Sequence, residues 1–377
     1  MKALVLGGSG NAGKAIITHL LQQTDLEILM GSRNAARNQR IINELVEKTG
    51  IGENRIATIH VDAAKLDELR NAFNAVDFVI VASSTSAYAA NILQAALIER
   101  KDYLDISLPS PEIDELYQKM QPYIQDTELC IIRDGGFHPG VPAALVRYAA
   151  LHISTLKRAE IGALLKVNWN DLSFSEGTAL EFMQEIKHFA PEYWNQGTWQ
   201  KSFSKKMYFN FSAPFHQQSA MPMMLGEMRD LPKLFPSLEQ CGFYLGGFDP
   251  FTDNVILPSI MFVSNIFGKT FDRPLSRWMF NSMKKHAQAP FRAELLLLAE
   301  GMEQGKPVSM QVRLGHQDAY ELTAIPVVAC VSQYLEQKHK TGIFYQAHFV
   351  EPEAFLADMQ RMGLELNIIN QEVPVLS

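Results

Sequence analysis

Apolar and polar positions fall into alternating blocks over roughly the first 150 residues, and the blocks come in two lengths. Short apolar runs occur at Ala3-Leu4-Val5-Leu6, Leu26-Glu27-Ile28-Leu29-Met30, and residues 56–61, 76–81, 103–106 and 129–132. They are too short for helices and are bounded by turn residues, so each predicts a strand. Longer stretches with helical spacing separate them: residues 14–21, 35–48, a helix through Leu69 and Phe73, and one ending near Arg100. Strands alternating with helices of this length predict right-handed crossovers and a parallel sheet covered on both faces. Ligands of such sheets bind beyond the carboxyl ends of the strands. The loops of interest are therefore 7–13, 31–34, 62–64, 82–86, 105–110 and 133–140.

From about residue 156 the pattern changes. Helical spacing thins out, aromatic residues and Met rise, and Lys206-Met207-Tyr208-Phe209-Asn210-Phe211 alternates like a strand. Residues 292–301 and 307–316 predict a hairpin around Gly301 and Gly305. The expected fold is α/β: a doubly wound Rossmann sheet plus a second α+β domain on a mixed or antiparallel sheet. A helix is expected over residues 327–337. The apolar stretch Leu257-Pro258-Ser259-Ile260-Met261-Phe262-Val263 is too short to span a bilayer and is assigned to core packing.

The first strand runs into Gly7-Gly8-Ser9-Gly10-Asn11-Ala12-Gly13, a G-x-G-x-x-G spacing placed between strand and helix. In that setting Gly8 permits the turn, Gly10 lets backbone approach a pyrophosphate, and Gly13 lets the helix pack on the strand. Ser9, Asn11 and Ala12 complete the loop, and the helix N-terminus attracts phosphate. The second strand ends in Gly31-Ser32-Arg33-Asn34. A site for NAD(H) usually has an acid there, but Glu27 lies inside the strand. A hydroxyl and a guanidinium suit a 2′-phosphate, which favours NADP(H) over NAD(H). Arg37 and Arg40 are expected to decorate the next helix. Asp62 and Ala63 are placed near the adenine, with Asp62 accepting from its amino group or capping a helix. Ser83 and Ser84 are placed against ribose or phosphate.

Composition narrows the function classes. The 377-residue chain is long enough for two domains, 47% hydrophobic and 20% charged, with net charge −7. No basic patch points to nucleic acid, and the mild acidity disfavours anionic membranes. Three cysteines lie far apart, which predicts reduced thiols. A strand at the very start leaves no room for a targeting segment, so the expected setting is cytoplasmic. The histidines show no metal-ligand spacing, and no metal site is expected.

Several of these segments together resemble the saccharopine dehydrogenase and saccharopine reductase-like family of NAD(P)-dependent enzymes. The matching pieces are the glycine loop, Asp77 with Ala82-Ser83-Ser84, and Tyr103-Leu104-Asp105-Ile106-Ser107. They continue with Gly136-Phe137-His138-Pro139-Gly140, Thr323-Ala324-Ile325-Pro326, Gly342-Ile343 and Pro352-Glu353-Ala354-Phe355-Leu356. The resemblance implies a discontinuous nucleotide domain, residues 1–155 and 320–377, and a substrate and dimerisation domain at 156–319. It implies a homodimer and hydride transfer at a C–N bond, with an imine or secondary amine derived from an amino acid or amine as substrate. Amine-handling relatives commonly carry Asp where this chain has His138. A homospermidine synthase-like transferase with internal NAD, or a non-catalytic NADP(H)-binding scaffold, is the alternative.

For catalysis, His138 is the first candidate, because an imidazole with an ordinary pKa near 6.5 can act as acid or base. A rigid turn capping the following helix is the competing role. Asp105 can orient a substrate amine or a ribose hydroxyl, or cap a turn. In the middle section, Glu181 and Glu185 on the helix opening at Ser175 can face a cleft. Lys166, Asn168, Glu227 and Arg229 are further possible contacts.

Overall fold

A computed structural model describes residues 1–51, 53–83, 85–172, 176–246, 252–267, 271–337 and 339–372. The chain begins β1 (Lys2–Leu6), α1 (Asn11–Gln23), β2 (Glu27–Ser32), α2 (Ala35–Thr49), β3 (Ile56–His60) and α3 (Leu66–Asn74). It continues β4 (Phe78–Val81), α4 (Ala89–Glu99), β5 (Asp102–Asp105), α5 (Pro111–Thr127) and β6 (Cys130–Arg133). The central strands are buried along nearly their whole length, as expected when both faces of a parallel sheet are covered. Local signals set the helix ends. Asn34 caps α2 by accepting from the Arg37 amide at 3.0 Å, and Gly50 ends that helix in the left-handed region. Ser110 caps α5, with Pro111 in its first turn.

The chain then forms α6 (Pro142–His152), β7 (Thr155–Lys166), α7 (Glu176–Lys187), β8 (Glu192–Asn195), β9 (Thr198–Lys201), β10 (Met207–Asn210) and β11 (Gln217–Pro222). Next come α8 (Leu231–Leu234), β12 (Gln240–Gly246), α9 (Leu257–Phe267), α10 (Asp272–His286), β13 (Arg292–Glu303) and β14 (Lys306–His316). It closes with α11 (Ala319–Glu336), β15 (Gly342–Tyr345), α12 (Gln346–Phe349), α13 (Pro352–Arg361) and β16 (Glu365–Glu372).

Two sheets result. The first has seven strands in the order β15-β6-β5-β4-β1-β2-β3, all parallel. Its order reverses between β1 and β4, which makes the ends of those strands the switch point. The second sheet has nine strands, with β10-β11-β12-β7-β13-β14-β16 as its path and the β8–β9 hairpin attached to β12. Only β7 and β12 run parallel within it, so this sheet is mixed. The fold class is α/β, with a Rossmann sheet and a second, mixed sheet.

The chain divides into two compact units, residues 1–140 with 323–351, and residues 141–322 with 352–377. These limits differ from the expected 1–155 with 320–377, and 156–319. Helix α6 belongs to the second unit, where it packs on β7 and β13. At the C-terminus, β16 pairs with β14 from Val308 to Gly315, and α13 packs on α6 and β16. A linear reading misses this because β16 (burial alternating, then exposed) carries too few apolar residues to announce a strand.

Two further expectations shift. The β13–β14 turn is Gln304-Gly305, both in the left-handed region (φ 50° and 79°), as a two-residue hairpin turn requires. Gly301 instead marks an irregularity in the pairing of β13 with β7, where its backbone lies close against Ile153 and Thr155. Helix α11 starts well before residue 327 and carries Pro326 inside it.

Each unit has its own polar and apolar interior. In the first, Leu4, Val79, Leu93, Phe73 and Ile131 share one core. In the second, Leu164, Phe209, Phe211, Tyr244 and Leu296 form another. Beside it the fully buried Glu294 accepts from Arg292 Nε at 2.7 Å, Arg313 Nη1 at 3.3 Å and the Ser212 amide at 3.1 Å.

Candidate functional site in the first unit

The loop after β1 is built by backbone bonds. Gly7 N–H donates to the Gly31 carbonyl at 2.8 Å, Gly8 to Val5 at 3.1 Å, and Gly10 to Gly7 at 2.9 Å. Gly7 takes φ 84°, so the left-handed residue of the turn lies one position earlier than expected. Gly13 allows the close approach: a Cβ there would overlap the Gly7 carbonyl and lie 2.7 Å from Gly8 Cα. Gly10 precedes α1 without a side-chain cap, which leaves the helix start to backbone groups. Ser9, Asn11 and Ala12 line the rim, partly exposed. This is a bare backbone cradle at the N-terminus of a 13-residue helix, the form a pyrophosphate needs.

Ser83, at the end of β4, packs on the same loop, because a Cβ on Gly7 would lie 3.0 Å from Ser83 Cα. Its hydroxyl meets the Thr85 hydroxyl at 3.3 Å. Ser84 lies outside the described residues.

The end of β2 is more divided than the sequence suggests. Ser32 donates to Asn38 Oδ1 at 2.6 Å, and buried Asn38 donates to the Met30 carbonyl at 3.3 Å. Ser32 thus stabilises its own turn, and Asn34 caps α2. Arg33 is exposed. Arg37, expected only to decorate α2, reaches back and donates to the Ser9 carbonyl at 3.3 Å. It lines a pocket with Lys14, Arg40, Ile41 and Glu44. One turn of helix past the strand end was enough to hide it from a reading confined to residues 31–34.

Asp62 accepts from the Ala64 amide at 3.1 Å, a local turn of the kind Asp favours. The Ala63 carbonyl accepts from Asn91 Nδ2 at 3.2 Å. Both residues stand at the end of β3.

The ends of β5 and β6 carry the remaining candidates. Buried Asp105 accepts from the Ser107 amide at 2.7 Å, and its carbonyl accepts from Gly135 N–H at 2.9 Å. That bond ties Asp105 to the loop Gly136-Phe137-His138-Pro139-Gly140. Burial pushes the His138 imidazole down to about 4, so the ring is neutral near pH 7. Beside the loop start, Asp134 accepts from Arg133 Nε at 2.9 Å, while its Oδ2 is buried with no hydrogen-bond partner among the described residues. Burial outweighs the pull of Arg133 and pushes Asp134 up to about 6. Arg133 also pairs with Asp114 at 2.6 Å and lies over the rings of Tyr117 (4.7 Å) and Tyr345 (5.0 Å). The buried Tyr103 and Tyr117 hydroxyls meet at 2.9 Å. Asp134 went unnoticed in the sequence because nothing in Arg133-Asp134-Gly135 distinguishes a buried acid from a turn.

In the second unit, Glu227, Arg229 and Asn168 have structural partners. Glu227 is fully buried and accepts from the Ala143 amide at 3.1 Å, near the start of α6. Arg229 pairs with Glu192 at 2.9 Å and lies over Trp199, while Asn168 donates to Asp171 at 2.6 Å. Glu185 on α7 is pushed up to about 7 by burial. Among the described residues, no group of three His, Cys, Asp or Glu side chains gathers as a metal site. No described helix is long and apolar enough to cross a membrane.

A family model, the saccharopine dehydrogenase NADP binding domain, matches residues 3–129. No curated protein matches the sequence at a significant level. Among solved structures, apo saccharopine dehydrogenase (L-Glu forming) from Saccharomyces cerevisiae is similar with a TM-score of 0.67 at 15% identity. That match covers 98% of this chain and 99% of the yeast chain. A meso-DAP dehydrogenase variant with DAP, from Clostridium tetani, matches with a TM-score of 0.45 at 11% identity, over 94% of this chain and 95% of that one. The yeast likeness shows a shared fold, and the matched family model is that of an NADP binding domain. Over residues 3–129 the chain is similar to the NADP binding domain of saccharopine dehydrogenase.

Proposed function

We propose that the protein is an NADP(H)-dependent oxidoreductase acting on a C–N bond, with an imine or secondary amine derived from an amino acid as substrate. The observation that carries the reading is one sheet edge that holds both a dinucleotide cradle and the buried Asp105, hydrogen-bonded through its backbone to the loop of His138. The similar yeast structure is a saccharopine dehydrogenase, which supports an amino-acid-derived substrate.

NADP(H) supplies hydride-transfer chemistry when bound. The chain's part is to bind, orient and govern protons. Gly8, Gly10, Gly13 and the start of α1 would hold the pyrophosphate, with Ser9, Asn11 and Ala12 around it and Ser83 beside it. Asp62 and Ala63 would flank the adenine. Arg33 and Arg37 would meet the 2′-phosphate, with Ser32 and Asn34 shaping their turn. Asp105 would place the substrate nitrogen. His138 is neutral, so it holds one hydrogen bond to that nitrogen rather than carrying a resting positive charge. The buried cysteines, none in a disulfide, fit the proposed cytoplasmic setting. The resemblance extends the proposal to a homodimer, which sedimentation would read as twice the chain mass.

Cofactor preference tests the phosphate contacts. NADPH is expected to bind more tightly than NADH in fluorescence titration. Arg37→Ala and Arg33→Ala should each weaken NADPH by roughly tenfold, which is about 1.4 kcal/mol, and leave NADH unchanged. Equal losses for both nucleotides would remove these residues from phosphate recognition.

The pH dependence tests His138. A folded pKa near 4, below the unfolded 6.5, means the neutral ring favours the fold above pH 6.5, and that contribution disappears as pH falls through about 4. Turnover should therefore show no inflection assignable to His138 between pH 5.5 and 8, roughly the interval in which an ordinary histidine titrates. His138→Ala should lower turnover on the amine and imine panel by about tenfold or more, within the usual range for acid–base groups, with NADPH affinity intact. Normal turnover in that variant would leave His138 a turn residue.

A further inference from the structure

Gln346 opens α12 directly after β15 and is fully buried. Its Nε2 donates to the Gly136 carbonyl at 2.9 Å and to the Gly140 carbonyl at 3.1 Å, and its Oε1 accepts from Gly136 N–H at 3.2 Å. A primary amide has two N–H donors. Here both are used on the two ends of one five-residue loop, from a position more than 200 residues away in sequence.

The loop is shaped around that amide. Gly136 and Gly140 take φ 131° and 122°, a region closed to most side chains. A Cβ on Gly140 would come 2.7 Å from Gln346 Nε2, and one on Gly135 would come 3.2 Å from Oε1 and from the Asp105 carbonyl. Bare backbone therefore surrounds the amide, and the same backbone runs on to Asp105. His138 sits at the middle of the loop that Gln346 closes.

We propose that Gln346 is a positioning residue that fixes His138, and through Gly135 the backbone at Asp105, in the geometry the reaction needs. The proposal rests on the oxidoreductase reading above. An amide is the group suited to the task, because it offers donors to both carbonyls and an acceptor to the N–H. An ionised Glu would face the two carbonyls without a donor, whereas a protonated Glu donates to one of them. Met has nearly the same shape and offers neither.

The test compares Gln346→Glu and Gln346→Met with the unaltered full chain, using NADPH titration, steady-state turnover at pH 8 and pH 6, and hydrogen exchange at the His138 ring C2 position. Both variants should bind NADPH within about threefold of the unaltered chain, a difference well under 1.4 kcal/mol. Gln346→Glu should lose roughly tenfold or more in kcat at pH 8, with a smaller change in KM, and recover at least about threefold at pH 6 as its carboxyl protonates. Gln346→Met should stay low at both pH values. The milder Gln346→Asn replaces either variant that does not fold.

Turnover of Gln346→Met within about twofold of the unaltered chain overturns the proposal, a change too small to mark a lost catalytic arrangement. So does a parallel loss of NADPH affinity and turnover, which marks a clamp of the whole fold. If the unaltered chain turns over no amine or imine, the oxidoreductase reading fails on its own. His138 exchange then decides the positioning role: faster exchange in Gln346→Met supports it, and an unchanged rate overturns it.

Discussion

Gly13→Val is expected to abolish NADPH binding, and Gly13→Ala to weaken it by about 100-fold or more, roughly 2.7 kcal/mol. The first atom added to Gly13 already overlaps the Gly7 carbonyl and comes 2.7 Å from Gly8 Cα. Both neighbours are backbone, held in turn by the bonds from Gly7 to Gly31 and from Gly8 to Val5. They cannot step aside as the tip of a flexible side chain would. Relief requires α1 to move away from β1, and the cradle then loses the spacing between loop and helix N-terminus. Fluorescence titration with NADPH reads the loss directly, with a thermal scan alongside to confirm that the chain is folded. Binding within threefold of normal in Gly13→Ala would show that the pyrophosphate lies elsewhere.

The second large effect belongs to the other unit. Glu294→Ala should destabilise it by about 3–5 kcal/mol, the usual cost of removing one partner from a buried ionic cluster. The substitution leaves Arg292 and Arg313 facing each other without the carboxylate between them, and the Ser212 N–H without its acceptor. Arg292 keeps Glu365 on β16 at 2.9 Å, so part of the arrangement survives. Glu294→Gln preserves shape and an acceptor, and should cost distinctly less. All four tryptophans (Trp169, Trp194, Trp199 and Trp278) lie in the second unit, so their fluorescence follows its unfolding apart from the first. An unshifted denaturant midpoint for Glu294→Ala would mean that the two arginines find other partners.

Much of the first unit was legible because parallel strands, buried on both faces, write themselves as unbroken apolar runs. Residues 78–81 and 130–132 are such runs, and the structure makes them β4 and most of β6. The glycine cradle was legible through steric demand: only a missing side chain permits the approach at Gly13. Cofactor class followed from the same stretch. What stayed hidden depends on distance in sequence. Gln346 looks like any polar residue at a strand end until Gly136 and Gly140 are brought beside it. Arg37 looks like surface charge until α2 folds back towards Ser9. The ordinary pKa that suggested an acid–base role for His138 could not include its burial. The second sheet was recognisable as mixed, but its last strand, β16, has half-polar faces and no pattern strong enough to assign it.

The order of the first sheet also constrains how it is made. Strand β6 gains its outer neighbour only from β15, which lies about 210 residues further along the chain. At synthesis rates of roughly 5–20 residues per second, that is a wait of about 10–40 s. Throughout it, Cys130-Ile131-Ile132-Arg133 presents an apolar strand edge with unpaired backbone groups, the kind of surface that recruits a second chain. Gln346 reaches its loop in the same interval that β15 arrives. The nascent protein must therefore thread residues 141–322, the larger part of the second unit, through the ribosome before its nucleotide sheet can close, which makes expression temperature and holdase supply the first variables to adjust when the chain aggregates.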